Sequence, residues 1–336
     1  MPGALGEALA RVSARNFDRL LPALETRAAS GRVVDGHGDL HARNICMTTP
    51  PVAYDCIEFE PAFRCGDVAT EIAFLAMDLR YRGAPELAAE FVAAYVSASG
   101  DTQIPGLLPA LCSYRAMVRA KVAAIAAAEA RDDEARRAPR RSAMAHVRLA
   151  AACALEAAAP WWIVVCGPPA SGKSTFSKEL NRTLRWPVIA TDRVRKDLAG
   201  LEPTQRGGPE LYTWQFTRRT YFEVLARASR NAARGVVLDG NFPAIALRSR
   251  ARAAAAESGA RLALVYLDVD DKESEARAAA RAARGGSVSD AGVAVARDLR
   301  ARFEIPGAAE QPIELAGARP VEELVDELLV ALLGRA

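Results

Sequence analysis

Nothing constrains the fold of this chain more than "WWIVVCGPPASGKST", residues 161–175. Trp161 to Cys166 form an unbroken apolar run, which predicts a strand covered on both faces rather than one with a wet side. The turn that follows, Gly167-Pro168-Pro169-Ala170-Ser171-Gly172-Lys173-Ser174, fits GxxxxGK[ST] in full, and Thr175 leads into a helix expected over 173–185. Glycines let successive backbone N–H groups turn inward around an anion, and the helix offers its positive N-terminus to the same anion. Strand, loop and helix therefore specify a phosphate cradle over residues 167–175. Its expected ligand is ATP, with Lys173 bridging the β- and γ-phosphates and the Ser174 hydroxyl on Mg²⁺. A glycine turn with a surface lysine would not account for the flanking elements.

The same rhythm continues downstream. "PVIATD", "GVVLDG", "RLALVYLDV" and "PIEL" read as four more apolar strands, separated by helical stretches including 193–199, 209–233 and one starting at Val321. Strands apolar along their length and alternating with helices imply a parallel sheet with both faces covered. A domain of residues 159–336 with a parallel five-stranded α/β sheet follows, with its boundary near residue 159.

Two carboxylates end strands of this sheet. Asp239 in "VVLDGN" is placed to hold Mg²⁺, and the residue after it is Gly240 rather than a water-activating glutamate, which favours transfer to an acceptor over hydrolysis. Asp192 in "ATDRVRKDL" stands where an acceptor hydroxyl would meet the γ-phosphate and could take its proton, with Arg193 or Arg195 steadying an anion. The alternative is that Asp192 caps the next helix, and both roles can coexist. Arg277, Arg281 and Arg284 share one helical face before Gly285-Gly286, as a lid over the phosphates or as a solvated face.

These motifs resemble the small-molecule kinases of the P-loop superfamily, such as gluconate kinase, chloramphenicol phosphotransferase, the zeta-toxin sugar-nucleotide kinases and the polynucleotide 5′-hydroxyl kinases. The resemblance covers about residues 160–336. It implies Asp192 as general base, Lys173 as the charge-stabilising cation, and lid arginines at Arg281 and Arg284.

The first half carries a different signature. "HGDLHARN", residues 37–44, precedes Asp55 by eleven residues, and "ICMT" and "VAYDCIEF" around "TPP" predict a hairpin that returns Asp55 to the loop. Asp39 could accept a hydroxyl proton, while Asn44 and Asp55 could hold metal ions on ATP. A helix is expected over residues 1–30, with Leu5, Leu9, Val12 and Phe17 as its apolar positions. Helices are also expected from Asp67 to about Ala158, broken at Gly83, near Gly100–Pro105 and at Pro139. This half resembles the mostly α-helical C-lobe of the aminoglycoside phosphotransferase-like kinases, and the order of the two halves resembles a group in which such a domain is fused to a P-loop kinase. A metal-hydrolase reading of His37-x-Asp39-x-His41 lacks a third ligand, since the one other histidine is His146. His37 and His41 are expected to fix the loop by hydrogen bonds.

A kinase of that kind also needs an N-terminal lobe whose lysine grips the phosphates. Only 36 residues precede His37, and the first lysine of the chain is Lys121. Three explanations stand: the sequence is a fragment of a longer protein, the lobe has been lost, or an arginine or a partner chain replaces it. On the first two, residues 1–158 alone transfer nothing.

Composition limits the partners. With 44 basic and 41 acidic residues the net charge is +3, which gives no chain-wide nucleic-acid or membrane footprint, and "RRAPRR" at 136–141 lacks interleaved aromatics. Six cysteines without paired metal spacing, and no apolar signal core or membrane-length run, point to the cytoplasm. The sequence supports an ATP- and Mg²⁺-dependent transfer to a small hydroxylated acceptor. A nucleotide-dependent regulatory module and a polynucleotide 5′-hydroxyl kinase are the alternatives.

Overall fold

The computed structural model describes residues 3–336 apart from 159, 204, 206, 232–234, 271 and 278–299. The chain divides into two compact units, residues 1–158 with 333–336, and residues 159–332.

The first unit is mostly helical. Helix α1 (Gly3–Ala29) buries Leu5, Leu9 and Val12, while Phe17 is exposed and meets Tyr114 edge-on. Short strands follow: β1 (Val33–Asp35), β2 (Ile45–Cys46), β3 (Val52–Ala53) and β4 (Cys65–Asp67). β2 and β3 form the expected hairpin, and β1 pairs antiparallel with β4. Four helices complete the unit: α2 (Val68–Tyr81), α3 (Pro85–Ser99), α4 (Ile104–Ala128) and α5 (Asp133–Ala158). The expected break at Pro139 does not occur. Asp132 starts α5 by accepting the Ala135 N–H at 2.8 Å, and Pro139 sits in the second turn among exposed neighbours. There the proline forfeits one helical hydrogen bond, and the buried face from Val147 to Leu155 keeps the helix continuous.

A buried ion network ties this unit together. The Arg27 guanidinium, at the end of α1, donates to Asp67 at 2.7 and 2.8 Å and to Asp101 at 2.8 Å, and all three side chains are buried. The Asp67 side chain also caps α2 through the Ala69 N–H. The hydrogen bonds from Arg27 hold the Asp101 carboxyl below its ordinary value.

The second unit is a five-stranded parallel sheet of β5 (Trp161–Cys166), β6 (Val188–Ala190), β7 (Val236–Asp239), β8 (Arg261–Asp268) and β9 (Ile313–Ala316), in the order β6-β7-β5-β8-β9. Around it lie α6 (Lys173–Leu184), α7 (Thr191–Ala199), α8 (Trp214–Asn231), α9 (Ile245–Glu257) and α10 (Val321–Arg335). β5 is central and wholly buried, as an apolar run with no wet side requires. One core layer packs Trp162, Val164, Val224, Leu238, Phe242 and Leu264. With β5 in the middle, every loop at the C-terminal edge converges on the residues after Cys166. This is a parallel α/β sheet with helices packed around it, and a mostly helical unit precedes it in the chain.

Two outcomes follow. Arg27→Ala leaves the buried Asp67 without its ion partner and Asp101 with only Arg32, at 3.8 Å, and should lower the unfolding free energy of the first unit by about 3–5 kcal/mol in urea titrations. None of the six cysteines is in a disulfide, and burial pushes the Cys166 thiol up to about 12. Alkylation of the native protein at neutral pH should therefore label the exposed Cys46, Cys56 and Cys65 and spare Cys112, Cys153 and Cys166. Mass mapping of the labelled peptides checks this.

Candidate nucleotide site

The loop after β5 is shaped by backbone contact. Gly167 has φ +148°, and a Cβ there would stand 2.7 Å from the Leu267 carbonyl oxygen and 2.9 Å from Ser171 Oγ. No side chain fits, so the loop lies directly against the end of β8. Gly172, at φ +95°, is the residue before the first turn of α6. The Lys173 ammonium, which is buried, folds back into the loop and donates to the Pro168 carbonyl at 2.7 Å and to Ser171 Oγ at 3.4 Å. A second tether comes from Ser274, whose hydroxyl donates to the Pro169 carbonyl at 3.0 Å.

A cleft of about 1610 Å³ opens beside this loop, and Lys173, Ser174, Asp192, Arg195 and Asp239 all line it. Asp239 ends β7 and is buried, with 7 % of its surface exposed. Burial raises its carboxyl above the ordinary value, opposed by the Lys173 charge and by a hydrogen bond from the Ser174 hydroxyl. An ammonium, a hydroxyl and a buried carboxylate at one loop suit a phosphate–cation pair. Among the described residues no group of three His, Cys, Asp or Glu side chains could hold a metal. Mg²⁺ does not need one, because it binds through one or two protein oxygens together with phosphates and water. Ser174 and Asp239 are such a pair.

Gly240 also has a packing cause. A Cβ at this position would collide with Thr191 Oγ1, which donates to the Asp239 carbonyl at 3.0 Å. The place after Asp239 is occupied from the neighbouring strand's end, so a glutamate has no room there.

Asp192 is in the first turn of α7, whose N-cap is Ala190 with no side-chain cap. The capping alternative is thereby set aside. The Asp192 carboxylate, 40 % exposed, faces the cleft and accepts from Arg195 Nη1 at 2.7 Å. Arg195 is buried and lies 4.9 Å over the Tyr212 ring. Arg193, the other arginine singled out in the sequence, pairs instead with Asp197 at 2.9 Å. Tyr221 lines the same cleft and accepts the Phe242 N–H at 2.9 Å, and burial pushes its hydroxyl up to about 12.

Arg281 and Arg284 lie outside the described residues. Arg277 is described: Nη2 donates to Glu273 at 2.5 Å and to the Gly317 carbonyl at 3.0 Å, and it stands beside Gly172 at the rim of the loop. Tyr212, Tyr221 and Arg319 also line the cleft. They belong to no motif and reach the cleft only because the turn before α8, α8 itself and the turn after β9 converge on this edge, so no local sequence signal marks them.

In the first unit, the structure brings Asp39, Asn44 and His41 together. Asn44 Nδ2 donates to the Asp39 carbonyl at 3.1 Å and its carboxylate at 3.4 Å, and His41 Nε2 is 3.4 Å from the same carboxylate. His37 Nε2 meets the Tyr54 carbonyl at 2.8 Å, and the Ile57 N–H donates to the His37 carbonyl at 3.0 Å. These bonds pin the backbone on both sides of Asp55 to the loop, while its own side chain is exposed. His146 stacks on Tyr81 in a helical setting.

Residues 163–306 match the family described as an AAA domain. Uncharacterised proteins of Mycobacterium bovis and Mycobacterium tuberculosis are 34% identical over 223 residues, which is 64% of this chain and 44% of theirs. The chain thus spans less than half the length of these relatives. Solved structures similar to it include a gluconokinase from Sinorhizobium meliloti (21% identity, 52% of this chain and 93% of that one, TM-score 0.40). A Mycobacterium tuberculosis APS kinase in complex with AMPPNP and APS is another (19% identity, 52% and 98%, TM-score 0.40). A shikimate kinase from Aquifex aeolicus is a third (22% identity, 52% and 97%, TM-score 0.34).

Gly167→Ala should weaken ATP binding by at least about tenfold, since the loop must withdraw from Leu267 to admit the methyl group. Calorimetric titration with ATP checks this, with circular dichroism showing that the fold persists.

Proposed function

We propose that the second unit transfers the γ-phosphoryl group of ATP to a hydroxyl of a small acceptor. One observation carries this reading. Two carboxylates share the cleft in opposite settings: Asp239 is buried against Lys173 and Ser174, while Asp192 is open to the cleft and held by Arg195. The first setting suits a fixed cation ligand, the second a group that takes up a proton.

Backbone N–H groups between Ala170 and Thr175, past the two prolines that carry none, and the Lys173 ammonium would hold the phosphates, and Ser174 and Asp239 would hold Mg²⁺. When bound, Mg-ATP supplies the activated phosphoryl group and neutralises part of its charge. The chain's own residues do the rest. Lys173 is held inside the loop by the Pro168 carbonyl, poised to exchange that neutral acceptor for an anionic one. Asp192 orients the acceptor hydroxyl and takes its proton onto a carboxylate oxygen as the oxygen becomes nucleophilic. Arg195, stacked on Tyr212, keeps that carboxylate aimed into the cleft. Gly240 and the Thr191 side chain fill the place from which a second carboxylate would activate water, so transfer is favoured over hydrolysis.

Lys173→Ala should lower turnover by at least about a hundredfold while the fold persists. Asp192→Asn should lower kcat by roughly 10²–10⁴-fold and leave ATP affinity within about threefold. Coupled ADP-release assays with sugars, aminoglycosides and nucleosides as acceptors, alongside ATP titrations, check both. Full turnover by either variant would remove that residue from the mechanism.

A further inference from the structure

Helix α8 carries a second feature on the side away from its buried residues. Thr220, Tyr221, Val224 and Ala228 are buried, whereas Trp214, Arg218 and Phe222, spaced four apart, form an exposed stripe. The Arg218 guanidinium stands 5.4 Å from the Trp214 ring centre and 5.5 Å from that of Phe222. Arg250, from α9, continues the series at 5.0 Å from Phe222. Trp214 is 72 % exposed, and Arg219 is exposed next to the stripe.

The arginines are the unusual part. Other arginines of α7, α8 and α9 are matched: Arg227 and Arg230 with Glu223, Arg193 with Asp197, Arg248 with the Glu310 carboxylate and Arg252 with the Glu310 carbonyl. Arg218, Arg219 and Arg250 pair with no carboxylate among the described residues. We infer that the Trp214–Arg218–Phe222–Arg250 ladder is a docking site for single-stranded nucleic acid. A guanidinium lying on a ring face keeps its N–H edges free for phosphate; Phe222 seats Arg218 and Arg250, and the largely exposed Trp214 ring offers a base a stacking platform. Interleaved cations and aromatics are the arrangement that "RRAPRR" lacks. The small chain-wide charge is no obstacle, because charge balance averages over the surface and this stripe is local. A membrane fits poorly, because the other face of α8 is committed to the core and the stripe has arginine where an inserted face needs apolar residues.

The protein carries its own probe. Of its four tryptophans, Trp161, Trp162 and Trp186 are buried, so quenching by a stacked base reports on Trp214. Oligo-dT of twelve nucleotides should quench this fluorescence with an affinity that falls with salt, at a log–log slope of about −2 for three phosphates engaged. Arg218→Ala/Arg250→Ala should weaken binding at least tenfold and cut the slope to about −0.7. Trp214→Phe should abolish the quench while fluorescein-labelled oligonucleotide still binds by anisotropy. Unchanged binding by the double variant, equal affinity for duplex DNA, or no quench at all would overturn the inference. So would self-association that the double variant abolishes, which would assign the stripe to a second copy of the chain. Phosphoryl transfer to a small acceptor, measured in parallel, should be unchanged in both variants, so failure here leaves the proposed activity standing.

Discussion

The close approach of bare backbone at the C-terminal edge of the sheet governs the second unit. Gly167 lies against the Leu267 carbonyl, and Gly240 against the Thr191 side chain, at distances no Cβ would allow. These contacts require β5 beside β8 and β7 beside β6, all parallel, which in turn requires strands buried on both faces. Once they are in place, Lys173, Ser174, Asp192 and Asp239 share one cleft with no further device. The site is a consequence of strand order.

The first unit rests on a different principle. Its strands are two or three residues long and largely exposed, so sheet formation contributes little. Buried ion pairs join distant segments instead: Arg27 with Asp67 and Asp101, Arg80 with Glu156 at 2.8 Å, Arg115 with Glu71 at 3.3 Å. Glu71 also accepts the Gly38 N–H at 3.1 Å, so the network sets the height of the loop bearing Asp39. The loop bearing Asp39, His41 and Asn44 is thereby held in a fixed form.

Much of the second unit was legible because its signals are local. An apolar run before GPPASGKS can be satisfied by few structures, and "LDGN" and "ATDR" mark strand ends by the change from apolar to acidic. What escaped the sequence depends on three-dimensional neighbours. Arg195 rather than Arg193 holds Asp192 because α7 turns Arg193 toward Asp197. Tyr212 and Arg319 come from loops whose course no periodicity fixes. Pro139 was misread because a proline's local cost was weighed without the buried face of α5 that outweighs it. The stripe on α8 was hidden by a charge count that sums over the whole chain.

The central claim is that phosphoryl groups leave this cleft on an acceptor rather than on water. Phosphorus NMR of the protein turning over Mg-ATP with a panel of hydroxylated acceptors tests it most directly. A phosphate-ester resonance growing in step with ADP is the predicted result. ADP formed with inorganic phosphate alone, at the same rate with and without every acceptor, would contradict it.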